Sequence, residues 1–237
     1  MAKDISIIVS ALNEEANISD AIDSVTIALR GVVDDYEIIV FNDGSTDNTG
    51  QIAERKAREN PKIRVINNDG NRGLGYIFSR GIQMASKSHI SCFPGDNDMA
   101  SESLRDKARH VGEVDLVVSY MQDMRHRSLP RKVLSRIYTG VLNALFGLKL
   151  RYYNGCFLYK TSVAQQLTLR SRGFGVFAEC LVKMLRTKCT YKEVAFVHTG
   201  RRAGKSSAVS PRGFVSVAET ICLLVRDVYF SPGTKTH

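Results

Sequence analysis

Tyr36-Glu-Ile-Ile-Val-Phe-Asn-Asp-Gly-Ser-Thr-Asp47 passes from a buried-type strand into an Asp-Gly turn and on toward a helix. Its apolar run, Ile38 to Phe41, is continuous rather than alternating, which is the pattern of a strand covered on both faces. Ser45 or Thr46 is a candidate N-cap for the helix that follows. Upstream, Ile5-Ser-Ile-Ile-Val9 reads as a strand, and Glu15 to Leu29 carries helical spacing through Ile18, Ile22, Val25 and Leu29. Downstream, Lys62 to Ile66 is a third strand, Leu74 to Ala85 a helix, His89 to Phe93 a fourth strand and Val114 to Ser119 a fifth. Strands alternating with helices predict βαβ units and a mainly parallel sheet. In open sheets of this kind ligands bind beyond the carboxyl ends of the strands. Asn13-Glu14-Glu15, Asn42-Asp43-Gly44 and Asp96-Asn97-Asp98 all fall at such ends.

The second half reads differently. Leu129 to Leu148 predicts a helix with Val133, Leu134, Ile137, Tyr138, Val141, Leu142, Leu145 and Phe146 on one broad face, and with Arg131, Lys132 and Arg136 near its start. Tyr152 to Tyr159 reads as a strand, Phe177 to Leu185 as a helix and Tyr191 to Val197 as a last strand. A basic, small-residue loop from His198 to Ser207 follows, and then an amphipathic helix from about Gly213 to Tyr229. There is no internal repeat and no clear linker, so residues 1–237 are expected to form one domain.

The chain is 43% apolar and 24% charged, as in a soluble globular protein. No apolar run reaches the ~20 residues that span a bilayer. The N-terminus, Met-Ala-Lys-Asp-Ile, has no signal-peptide core, and the five cysteines form no Cys-x-x-Cys pair. These features predict a cytoplasmic protein without a zinc site or a disulfide framework. The net charge of +9 favours anionic partners: nucleotide phosphates, nucleic acid or an anionic membrane. The basic stretches lack the interleaved aromatics of a nucleic-acid binder, which counts against that partner.

Asp96 and Asp98 place two carboxylates one residue apart after an apolar strand. Such a pair can hold Mg²⁺ or Mn²⁺ against a diphosphate, because hard cations take carboxylate, phosphate and water oxygens. Alone, the tripeptide reads equally as an ordinary turn.

Three elements in order resemble the inverting glycosyltransferases of family 2, with the GT-A fold. They are Ser6-Ile-Ile-Val-Ser-Ala-Leu-Asn-Glu-Glu15, Glu37-Ile-Ile-Val-Phe-Asn-Asp-Gly-Ser-Thr-Asp-Asn-Thr49 and Asp96-Asn-Asp98. The likeness covers roughly the first 120 residues most strongly. Beyond them the chain is similar, more loosely, to the polyprenyl-phosphate sugar synthase branch of the dolichyl-phosphate mannose synthase type. The resemblance implies a Rossmann-like α/β fold, with a mainly parallel sheet flanked by helices and with C-terminal amphipathic helices. Residues 1–120 would form the nucleotide-sugar half and residues 121–237 the acceptor half.

It also implies roles. Ala11, Leu12, Asn13, Glu14 and Glu15 would clasp the nucleotide, and Asp43 would accept hydrogen bonds from base or ribose, unless it merely caps a helix. Gly73, within Asn71-Arg-Gly-Leu-Gly75, would let backbone approach the nucleotide; a plain turn is the alternative. Asp96 and Asn97 would line the sugar-nucleotide pocket, and Asp98, with Asp96, would bind the cation. Arg201, Gly204 and Ser206, in Arg201-Arg-Ala-Gly-Lys-Ser206, match the branch's Arg-x-x-Gly-x-Ser loop, in which the Arg201 guanidinium would grip phosphate bidentately as a catalytic residue and Ser206 would help bind the donor; a solvated basic loop or a nucleic-acid contact is the alternative. Glu179 would face the acceptor as a base, or stand as an ordinary helix glutamate. Two departures matter. Ser10 and Leu12 replace the family's proline and aromatic, and Ala100 stands where the branch has a metal-sphere glutamine.

The expected activity is transfer of a sugar from a UDP- or GDP-linked donor to a lipid phosphate, by an enzyme peripheral on the inner membrane face through helices 130–148 and 213–229. The alternatives are transfer to a hydroxyl of a glycan or lipopolysaccharide precursor, and a non-catalytic nucleotide- or nucleic-acid-binding module.

Overall fold

The computed structural model describes residues 2–121, 129–196 and 211–230. Seven strands form one sheet in the order β3-β2-β1-β4-β6-β5-β7. The strands are β1 (Asp4–Ala11), β2 (Asp35–Asn42), β3 (Ile63–Asn67), β4 (His89–Pro94), β5 (Leu116–Met121), β6 (Leu158–Lys160) and β7 (Tyr191–Phe196). β1 to β4 pair in parallel, β6 lies antiparallel between β4 and β5, and β7 runs parallel to β5.

The central strands carry near-continuous apolar runs, Ile7 to Val9 and Ile38 to Phe41, because both faces are covered. Ile5, Ile7, Val9, Ile38 and Val40 face a core with α1 (Ile18–Leu29), α2 (Thr49–Glu59) and α4 (Ser101–Ala108). Ile8, Ile39 and Phe41 face the other core, with α3 (Leu74–Met84), α5 (Leu129–Phe146), α7 (Gly175–Arg186) and α8 (Pro211–Tyr229). A short α6 (Thr161–Ala164) follows β6. The α/β fold with a mainly parallel sheet is as the sequence predicts, and so are all the long helices.

Two local readings are corrected, and one helix goes unread in the sequence. The strand expected over Tyr152 to Tyr159 shrinks to β6. Upstream of it, Tyr152 and Tyr153 are buried by side-chain packing rather than by a ladder, and the Tyr153 hydroxyl donates to Asn143 Oδ1 at 2.8 Å. Next, neither Ser45 nor Thr46 caps α2. The helix starts at Thr49, whose amide and hydroxyl donate to Asp47 Oδ1 at 3.0 and 2.5 Å. Desolvation pushes the Asp47 carboxyl up, but these bonds outweigh it and leave its pKa lowered. Finally, α4 escapes sequence reading altogether. Its inward positions are Leu104, Lys107 and Ala108, and a lysine there breaks the apolar stripe that marks an amphipathic helix.

Candidate functional site

Parallel pairing sets three loops side by side. Ala11 is in register with Asn42, and Ser10 with both Phe41 and Pro94, so the chain leaves β1, β2 and β4 at one edge of the sheet. The loops after β1 and β2 then lock together. Asn13 N donates to Ser45 Oγ at 3.0 Å, Thr46 N to Asn13 Oδ1 at 2.9 Å, and Glu14 N to Thr49 Oγ1 at 2.7 Å. Glu15 Oε2 accepts from the backbone and side-chain nitrogens of Asn48 at 3.0 and 2.9 Å. Asn13 holds a left-handed φ of 54°, which asparagine tolerates better than most residues. The side chains of Asn13 and Glu15 are therefore engaged in building the clasp. The exposed Leu12 stands at its tip.

Asp43 is buried and fastens the next wall. Its Oδ1 accepts from Asn68 Nδ2 at 2.8 Å and from Arg72 N at 2.9 Å, and its Oδ2 from Gly73 N at 3.0 Å. The helix-cap alternative for the strand–helix turn after β2 does not apply, since Asp43 reaches the segment before α3 instead. The glycine after it is required: Gly44 has φ +77°, and a Cβ there would lie 2.6 Å from the backbone of Gly70. An Asp-Gly pair thus allows two loops to touch and ties them. Beyond Gly73, the amide of Gly75 donates to the carbonyl of Arg172 at 2.8 Å, which extends this wall to the segment before α7.

The acidic pair follows β4, next to the end of β1. Gly95 N donates to Ser10 O at 3.1 Å, and a Cβ on Gly95 would stand 2.5 Å from the same oxygen. The turn therefore folds tightly over the end of β1. Asn97 takes φ 55°, and Asp98 N donates to Asp96 Oδ1 at 3.1 Å. All three side chains are half-buried. Among the described residues no group of three His, Cys, Asp or Glu is arranged to hold a metal ion. Two carboxylates on one tight turn still suit a hard cation whose other ligands are substrate phosphates and water.

The structure therefore brings together Ala11 to Glu15, Asp43, Gly73 and Asp96 to Asp98. Arg201 and Ser206 lie outside the described residues. Glu179 is a correction. It is fully buried in α7 and accepts from the amides of Arg170 (3.0 Å) and Ser171 (2.8 Å) and from Lys183 Nζ (2.7 Å). Lys183 in turn donates to Asp227 at 2.9 Å and to the Thr168 carbonyl at 2.7 Å. A carboxylate so enclosed is a fastener for the segment before α7, not a base facing an acceptor. Two features beside the site were not foreseen. One is the Arg170–Arg172 segment against α3, which has no local sequence signal. The other is Lys107, whose signal is a lysine in an apolar helical slot.

Comparison with known proteins shows the family and the fold. The profile described as "Glycosyl transferase family 2" matches residues 6–168. The dodecaprenyl-phosphate galacturonate synthase of Rhizobium johnstonii is 25% identical over 226 residues, 93% of this chain and 66% of that protein. The undecaprenyl-phosphate 4-deoxy-4-formamido-L-arabinose transferase of Yersinia pestis is 27% identical over 209 residues, 86% of this chain and 62% of that protein. Among solved structures, the glucosyl-3-phosphoglycerate synthase of Mycobacterium tuberculosis, in complex with Mn²⁺, UDP-glucose and phosphoglyceric acid, superposes with a TM-score of 0.68. It is 22% identical, over 94% of this chain and 79% of that one. The chain spans from 27% to 66% of the length of the first curated relatives it matches.

Proposed function

The chain belongs to glycosyl transferase family 2, and from that premise we propose that it moves a sugar from a nucleotide-sugar donor to a polyprenyl-phosphate-type lipid. The observation that carries this reading is the convergence of the interlocked Asn13–Thr49 clasp, the Asp43-held loop and the Asp96–Asp98 turn at one sheet edge. The clasp and the Asp43 loop would seat the nucleotide. Asp98, with Asp96, would hold Mg²⁺ or Mn²⁺. When bound, that ion would neutralise the leaving diphosphate as a Lewis acid. An acceptor phosphate oxygen would attack the donor's anomeric carbon from the face opposite the leaving nucleoside diphosphate. The carbon–oxygen bond to the nucleoside diphosphate would break, with its electron pair leaving on the diphosphate, so that the configuration inverts.

A phosphate acceptor suits this site. Its second pKa is near ~6, so it is largely ionised at neutral pH and needs little help from a base. A hydroxyl acceptor needs one, and Glu179 is enclosed by its own hydrogen bonds. The names of the Rhizobium and Yersinia relatives, which cite prenyl-phosphate lipids, support the same acceptor class.

A surface for the membrane also supports it. No helix among the described residues is long and apolar enough to cross a bilayer. α5, however, carries two apolar stripes. Tyr138, Leu142 and Phe146 face the core, while Leu129, Val133, Ile137 and Val141, spaced four apart, are exposed, Ile137 by 58%. Lys132 and Arg136 lie on the same helix. Tyr229 of α8 stacks on Phe146 at 6.3 Å, with the exposed Phe230 beside it. Basic amphipathic helices lie in the membrane interface, apolar side down. On this reading the enzyme works peripherally on the inner membrane face.

The test uses vesicles of anionic phospholipid carrying polyprenyl phosphate. The protein should sediment with them and, given its donor and Mn²⁺, release nucleoside diphosphate only when the phosphate lipid is present. Ile137→Glu forfeits the burial of one isoleucine, ~1.5–3 kcal/mol, and should weaken sedimentation about tenfold to a hundredfold. Equal sedimentation of both proteins would remove α5 from the membrane, and release that ignores the lipid would remove the acceptor.

A further inference from the structure

Lys107 lies in α4 with 1% of its surface exposed. Its Nζ donates to the carbonyl of Cys156 and touches the Met99 sulfur at 3.7 Å. Among the described residues no carboxylate pairs with it. Desolvation lowers its pKa. An ammonium placed inside a protein without a counter-ion is expensive, and an apolar residue of similar volume in the same slot costs less. Helix packing alone therefore does not account for a lysine here, since its neighbours Leu104 and Ala108 already bury α4 against the sheet.

Its two contacts give it another use. Met99 directly follows Asp98 and is itself buried. Cys156 lies just before β6, the strand beside β4. The ammonium thus joins α4, the side chain of Met99 next to Asp98 and the chain approaching β6. We propose that Lys107 is a positioning residue that fixes the backbone after Asp98 and so sets where its carboxylate points. This rests on the reading that Asp98 binds the divalent cation.

The test is the affinity for Mn²⁺, titrated by calorimetry with UDP or GDP, whichever the parent protein binds, together with thermal melting. Lys107→Met removes the charge and the donor at nearly constant volume. It should weaken Mn²⁺ binding at least tenfold while the melting temperature holds or rises. A merely structural lysine would lower the melting temperature and leave Mn²⁺ affinity unchanged. Lys107→Gln keeps an N–H donor for the Cys156 carbonyl and should fall between parent and Lys107→Met. If Lys107→Met does not fold, Lys107→Gln decides alone. Parental Mn²⁺ affinity in either folded variant overturns the inference and leaves the metal reading standing. A parent protein that binds Mn²⁺ with neither nucleotide overturns both.

Discussion

Asp98→Ala should abolish sugar transfer while the protein still folds. The side chain stands half-buried on a turn outside both apolar cores, so its loss removes little packing. What it removes is a charged ligand for the ion that would neutralise the leaving diphosphate. Metal stabilisation of developing charge amounts to several kcal/mol, and each 1.36 kcal/mol is tenfold in rate, so turnover should fall ~10³-fold or more. EDTA should do the same to the parent protein, and added Mg²⁺ or Mn²⁺ should restore it. Steady-state rates with and without chelator, beside melting curves of both proteins, check this. Full activity in EDTA would defeat the metal-dependent mechanism.

Glu179→Gln should damage stability far more than chemistry. The carboxylate accepts from two backbone amides and from Lys183. An amide there turns an N–H₂ toward one of those N–H donors and leaves the Lys183 ammonium with Asp227 alone as its acidic partner. Breaking a buried charge pair costs about 3–5 kcal/mol. For a chain of this size that lowers the melting temperature by about 6–20 °C. Turnover per folded molecule, measured well below the transition, should stay within a few-fold of the parent. A general base would behave in the opposite way, with normal melting and a rate lower by ~10²–10⁴.

How far the sequence could be read depends on which interactions build each part. β1, β2 and β4 are legible because both faces of the sheet are buried there, which forces near-continuous apolar runs such as Ile38 to Phe41, whereas the edge strand β3 is legible from its β-branched residues Ile63, Val65 and Ile66. Their carboxyl ends, and hence the convergence of Asn13–Glu15, Asp43 and Asp96–Asp98, follow from parallel topology. The jobs of single carboxylates do not follow, because they are set by partners distant in sequence. Asp43 meets Arg72 and Gly73 across 29 and 30 residues. Glu179 meets amides before its own helix, and no periodicity announces that. α4 was hidden by Lys107, a local violation of the apolar pattern, and such violations are expected where function competes with packing. β6 was overread because Tyr152 and Tyr153 are buried by side-chain contacts, which look in sequence like a strand.

The most direct measurement is transfer of labelled sugar from a nucleotide-sugar donor, with Mn²⁺, to a short polyprenyl phosphate and to the matching free polyprenol. The phosphate lipid should be glycosylated by the parent protein and by folded Glu179→Gln alike, the free alcohol should not, and Asp98→Ala should give no product. Product on the free alcohol together with none on the phosphate, in a reaction that Glu179→Gln abolishes without unfolding, would contradict the lipid-phosphate account and assign the enzyme to hydroxyl acceptors.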